Sequence, residues 1–209
     1  MRRNLTGGPL PSFTLVPHKV STRFTDPIVS PLAAVGVTPN MISAAGFVGN
    51  VVAGVLAAGG QFLAAGIVML VFSGLDLLDG ALARKTGTVT KFGAVFDSVL
   101  DRLSEAAVLG GLLYHYSEAG RTTPVILCYA AIVGSILVSY ARARAEGIGL
   151  TLREGLFTRA ERVLLLGGAL VIAHGIVVWA LWVLSALSHA TAVQRVVTVW
   201  RRLTTDAGS

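Results

Sequence analysis

The sequence predicts an all-α integral membrane protein with six transmembrane helices and an N-terminal interfacial helix. Three observations carry this prediction. Hydrophobic residues make up 54% of the 209 residues, whereas charged residues make up only 13%, against about 25% in ordinary soluble domains. The mean hydropathy is +0.72. The apolar residues also gather into six segments separated by short polar or charged connections. Such a chain lacks the charge to cover a soluble surface, and its hydrophobicity excludes intrinsic disorder. Cys128 is the only cysteine, so a disulfide-stapled secreted scaffold is excluded as well.

Residues 1–16 read as an N-terminal tail without the continuous apolar core of a signal peptide. Residues 17–203 read as a single membrane domain, and 204–209 as a C-terminal tail. From Pro17 to Ala34, Val20, Phe24, Ile28 and Leu32 recur every four residues beside Lys19 and Arg23. That pattern predicts a helix lying on the membrane surface, broken by Pro27 and Pro31. A bilayer core of about 30 Å needs about 20 helical residues. Six spans are predicted: Asn40–Ala58, Gln61–Leu82, Gly93–Tyr116, Thr123–Ala145, Ala160–Ala173 and Ile176–Val199. Their many glycines and alanines predict closely packed helices.

With six spans, both termini share one side with the connections at 83–92 and 146–159. That side collects 16 of the 17 lysines and arginines, Arg121 being the exception, and so reads as cytoplasmic. The net charge of +6 is explained by this bias. No nucleic-acid-binding module accompanies the basic residues, so a nucleic-acid partner is not expected.

Charge inside a span is costly and points to function. Asp76 and Asp79, three residues apart, share one helix face near the cytoplasmic end of the second span, and Asp97 and Asp101, four apart, share another in the third. A short connection makes these helices neighbours, so four carboxylates converge. Carboxylates at close range repel one another, and a hard divalent cation relieves the repulsion. Oxygen-only ligands suit Mg²⁺, Mn²⁺ or Ca²⁺. Four carboxylates can hold two ions, which can clamp phosphate oxygens during a displacement. Other readings are buried ion pairs with Arg84 and Arg102, or a cation pathway in an ion-coupled transporter. No second copy of the acidic pair marks the C-terminal half, as the inverted repeats of transporters would suggest.

Gly80 lets a ligand approach the helix backbone, Ala83 is also small, and Arg84 is placed to contact a phosphate. Written out, the segment is Asp76-x2-Asp79-Gly80-x2-Ala83-Arg84-x8-Gly93-x3-Asp97-x3-Asp101. This resembles the signature of the CDP-alcohol phosphatidyltransferases at all eight specified positions. The resemblance extends from about residue 20 to 203. It implies a six-helix membrane enzyme, working as a homodimer, that moves a phosphatidyl group from CDP-diacylglycerol to an alcohol and releases CMP. It implies that Asp76, Asp79, Asp97 and Asp101 bind metal, Mg²⁺ with two ions per subunit or Mn²⁺, and that Asp101 is also the general base. Asp76, Asp79, Gly80, Ala83 and Arg84 correspond to CDP-lipid positions, as do Thr90 and the Thr38-Pro39-Asn40 entry to the first span.

A second cluster addresses the acceptor. Ser139, Tyr140, Arg142 and Arg144 end the fourth span, Arg159 and Arg162 open the fifth, and Arg195 lies late in the sixth. Guanidinium groups bind phosphate bidentately, so a phosphorylated alcohol is the expected acceptor; headgroup anchoring accounts for Arg201 and Arg202. The Ser139–Glu146 and Arg159–Arg162 stretches and Val193-Gln194-Arg195 resemble the phosphatidylinositol phosphate synthases of actinobacteria and their archaeal relatives. That subfamily implies inositol 1-phosphate, its phosphate held by Ser139, Arg142, Arg159, Arg162 and Arg195. Arg142 is a departure, since lysine is common there. Glycerol 3-phosphate, the acceptor of phosphatidylglycerophosphate synthases, meets the same charge requirement. The four histidines receive no role.

Overall fold

The computed structural model describes residues 22–206, apart from 153 and 154. The predicted tail at 1–16, the first residues of the interfacial helix and residues 207–209 lie outside the described residues. Among the described residues the regular structure is wholly helical: α1 (Thr22–Ala34), α2 (Pro39–Ala58), α3 (Phe62–Gly74), α4 (Asp76–Thr86), α5 (Lys91–Glu118), α6 (Thr122–Gly147), α7 (Arg159–Ile172) and α8 (His174–Asp206).

Local chemistry sets several helix ends. Thr38 accepts a hydrogen bond from the Met41 N–H and Pro39 opens α2, a position that needs no donor. Thr90 caps α5 by accepting from the Gly93 N–H at 2.9 Å. Thr158 and Glu161 form a reciprocal capping box at the start of α7. Gly87, at φ +66°, ends α4 in a left-handed turn.

The helices form a closed ring in the order α2, α3, α7, α8, α6 and α5, with α5 returning to α2. The second predicted span is two helices: α3 ends at Gly74, and α4 restarts one residue later and packs on α1 and α2. Helix α1 runs through Pro27 and Pro31 rather than breaking at them. Both prolines are exposed and lie four residues apart, so the lost bonds fall on one outer face. The opposite face puts Val29 against Ile42 and Leu82.

Among the described residues, four segments are long and apolar enough to cross a membrane: Pro39–Ala58, Phe62–Thr86, Thr122–Gly147 and His174–Thr205. Helix α7 has only 14 residues, and α5 carries Asp97, Asp101, Arg102 and Glu105 along its length. Polarity is inverted relative to a soluble protein. Val55, Leu63, Val71, Ile172 and Trp179 are exposed, whereas Asn50, Glu105, Arg162, Thr191 and Arg195 are buried. An apolar exterior over a partly polar interior suits lipid on the outside. The protein is a multi-pass membrane protein.

Small residues make the ring tight. A Cβ at Gly111 of α5 would lie 2.0 Å from the carbonyl oxygen of Gly54 on α2, and one at Gly66 of α3 would lie 2.9 Å from that of Gly167 on α7. Gly111→Ala must therefore push α2 from α5, at a cost of about 1–3 kcal/mol. Its unfolding temperature in detergent is expected to fall, while that of Gly110→Ala, where the added carbon meets nothing within 4 Å, is expected to hold.

Candidate active site

The break between α3 and α4 positions the first two acids. Asp76 is the first residue of α4 and Asp79 completes its first turn. Carboxylates are favoured there because the unpaired N–H groups and the helix dipole present positive charge. The other two acids come from α5, which is tied to α2 across the Gly54–Gly111 contact. Asp76, Asp97 and Asp101 each present a carboxylate oxygen, all within 4.8 Å of one another. Asp79 stands beside them, interacts with Asp97 and accepts a hydrogen bond from the Ser43 hydroxyl at 2.6 Å. A donor set made only of carboxylates, held at this spacing, fits a hard divalent cation.

The acids divide two regions. On one side is a cavity of about 740 Å³ between the α1–α2 turn, α4 and the start of α5. Thr38, Pro39, Asn40, Asp79, Gly80, Ala83, Arg84, Thr90 and Asp97 line it. Eight of the nine residues expected to meet the CDP-lipid therefore share one cavity; Asp76, the ninth, is not part of its lining. Gly80 keeps the α4 backbone open beside Arg84, whose Nη1 a Cβ would approach at 3.3 Å.

On the other side lie arginines. Arg159, at the start of α7, donates to Asp76 Oδ2 and reaches Asp101 Oδ1 at 3.0 Å. Arg102 contacts Asp101 at 3.3 Å and donates to the Ser98 carbonyl at 2.6 Å. The acids thus have arginine partners, but the principal one is Arg159 rather than Arg84. Arg162 and Arg195 are buried behind this face. Arg195 donates to the Val138 carbonyl at 2.6 Å and lies within electrostatic range of Arg142, Arg162 and Arg102.

The remaining acceptor candidates are placed differently. Arg142 is exposed and pairs with Glu146 along α6 at 2.9 Å. Ser139, one turn earlier, is half-buried. Tyr140 and Arg144 line a separate apolar groove of about 490 Å³ between α6 and α8.

Two site residues were not anticipated. Ser43 follows Asn40 by three residues, so helical spacing from the α2 entry could have found it. Glu105 follows Asp101 by four residues and is buried; an acid inside a span was the available signal.

A family model described as CDP-alcohol phosphatidyltransferase matches residues 36–200. The phosphatidylinositol phosphate synthase of Mycobacterium tuberculosis is 37% identical over 187 residues, which cover 85% of this chain and 86% of that protein. The archaetidylinositol phosphate synthase of Methanothermobacter thermautotrophicus is 36% identical over 189 residues, covering 88% and 92%. The crystal structure of the M. tuberculosis enzyme with CDP-DAG bound matches with a TM-score of 0.79 at 35% identity, over 85% of this chain and 94% of that one. The same enzyme in complex with manganese and citrate matches at 0.77. With the eight-position signature gathered at one site, the chain belongs to the CDP-alcohol phosphatidyltransferase family, alongside its mycobacterial and archaeal inositol-phosphate members.

Proposed function

We propose that this protein transfers the phosphatidyl group of CDP-diacylglycerol to a hydroxyl of 1D-myo-inositol 1-phosphate, giving phosphatidylinositol phosphate and CMP. One observation carries the reading: the acids lie between a cavity fit for a nucleotide-linked lipid and a face of arginines fit for a phosphate monoester. A transfer between two phosphorylated substrates needs that arrangement, whereas a cation pathway has no use for the arginine face. The relatives named phosphatidylinositol phosphate synthase support the choice of acceptor.

The chemistry follows from the residues. Asp101 accepts the proton of the acceptor hydroxyl, whose oxygen bonds to the phosphorus carrying the diacylglycerol. The bond from that phosphorus to the bridging oxygen breaks, and CMP leaves with the electron pair. Asp76, Asp79, Asp97 and Asp101 would hold two magnesium ions, or manganese in their place, supplying positive charge against the phosphate oxygens. Thr38, Pro39, Asn40, Gly80, Ala83, Arg84 and Thr90 hold the CDP-lipid. Ser139, Arg142, Arg159, Arg162 and Arg195 form the acceptor side. Residues 17–203 act as one domain in which α5 and α7 cross the bilayer as well, with α1 on its surface. The enzyme works as a homodimer in the cell membrane, with the site and both termini on the cytoplasmic side.

The test is CMP release by the purified protein from CDP-diacylglycerol, Mg²⁺ and inositol 1-phosphate, with a chelator control. No CMP release with inositol 1-phosphate would overturn the reading. Arg159→Ala is expected to raise the acceptor KM by roughly ten- to hundredfold, the worth of one charge-assisted contact, with the CDP-diacylglycerol KM near wild type. Equal changes in both KM values would contradict the division of the site.

A further inference from the structure

Three buried side chains from three helices meet beside the site. Glu105 of α5 takes a guanidinium N–H of Arg162 on each carboxylate oxygen, Nε at 2.7 Å and Nη2 at 3.0 Å. The Ser135 hydroxyl of α6 donates to the same carboxylate at 2.6 Å. Arg162 also donates to the Phe157 carbonyl at 3.4 Å, in the segment leading into α7. Glu105 is 5% exposed and Arg162 3% exposed. A fork-to-fork pair this deep is directional, and removing one partner strands a charge in the interior.

The placement of this pair gives it a consequence for the site. Glu105 lies one turn beyond Asp101 on the same face of α5, and Arg162 lies one turn beyond Arg159 on α7. Asp101–Arg159 at 3.0 Å and Glu105–Arg162 at 2.7 Å are thus two successive rungs between α5 and α7. These helices are not neighbours in the ring; they share the buried apolar core, and the two charged rungs link them at the end nearest the acids. The inner rung is buried, bidentate and braced by α6. The outer rung is the one facing the acids.

We propose that Glu105 is a positioning residue for the arginine face. By holding Arg162 it fixes the rotation and depth of the first turn of α7, and so aims Arg159 at Asp76 and Asp101, where an incoming phosphate monoester must be met. In this account Arg162 acts through α7 rather than by touching the phosphate, and Arg159 makes the contact. The inference rests on the phosphatidyltransferase reading for its biological meaning, but its test does not depend on which alcohol is used.

The test titrates inorganic phosphate by calorimetry into Mg²⁺-loaded protein in nanodiscs, with Mn²⁺ binding followed separately by electron paramagnetic resonance. Wild type, Glu105→Gln and the double variant Glu105→Leu/Arg162→Met are compared. Glu105→Gln is expected to weaken phosphate binding by at least about tenfold without weakening Mn²⁺ binding. The double variant removes both buried charges together, which a bundle can tolerate. It is expected to keep the wild-type unfolding temperature and still bind phosphate as weakly as the single variant, so wild-type phosphate affinity in it would refute the proposal even if Glu105→Gln fails to fold. Unchanged phosphate affinity in Glu105→Gln, parallel loss of Mn²⁺ affinity, wild-type phosphate affinity in the double variant, or no phosphate binding by wild type would each overturn the proposal. A wild type that binds phosphate but releases no CMP with either phosphorylated alcohol would sink the functional reading instead, leaving the role of Glu105 standing.

Discussion

Asp101→Asn is expected to lower turnover by about 10³-fold, within the range that general base catalysis supplies, while CDP-diacylglycerol binding stays within a few-fold of wild type. Asp101 lies outside the lining of the nucleotide-side cavity, on the side of Arg159 and Arg102. The asparagine keeps the shape and one acceptor oxygen but cannot take the proton. The two arginines also hold Asp101 in a fixed orientation by ion pairs, as a positioned base requires. Single-turnover CMP release measures the first quantity and equilibrium binding of a fluorescent CDP-lipid the second. Near-normal turnover would remove Asp101 as the base. A parallel loss of CDP-lipid affinity would mean that its carboxylate serves the donor side instead.

Asp97→Asn is expected to weaken Mn²⁺ binding by about 100-fold or more, at the upper end of what a change in metal surroundings costs, and to reduce turnover accordingly. Asp97 is the acid common to both regions: it belongs to the three-carboxylate group and also lines the cavity beside Asp79. Losing it should therefore damage metal and CDP-lipid binding together, unlike Asp101→Asn. Partial rescue of turnover at high Mn²⁺ would be consistent with this. Unaltered metal affinity would place the ion elsewhere. Comparing the CDP-lipid affinities of the two variants separates the acid shared with the donor side from the base in a way that activity alone does not.

The convergence of the acids was readable because helical spacing and a short connection are local properties. Residues three or four apart share a face whatever the tertiary fold, and the connection between the acids made their helices neighbours. The break at Leu75 was not readable. Its neighbours Phe72, Gly74 and Leu78 continue the apolar run, and Leu75 itself keeps a right-handed helical backbone. Helix α1 misled in the opposite sense, since its prolines fall on an outer face where lost hydrogen bonds cost little. The arginines show where sequence reasoning stops. Arg159 and Arg162 are three apart and look equivalent, yet one faces Asp76 and Asp101 and the other is locked to Glu105. That distinction depends on an acid 57 positions away in sequence, which no local pattern reports. Arg142 similarly carries the expected charge, but its partner in the structure is Glu146 on its own helix.

The most direct measurement is a competition assay in which the purified protein receives CDP-diacylglycerol and Mg²⁺ with inositol 1-phosphate, glycerol 3-phosphate and free inositol together, and the lipid products are separated. The account predicts phosphatidylinositol phosphate as the main product, with stoichiometric CMP and little product from free inositol. Product formed mainly from glycerol 3-phosphate would contradict the acceptor assignment, and comparable turnover of free inositol would contradict the role given to the arginine face.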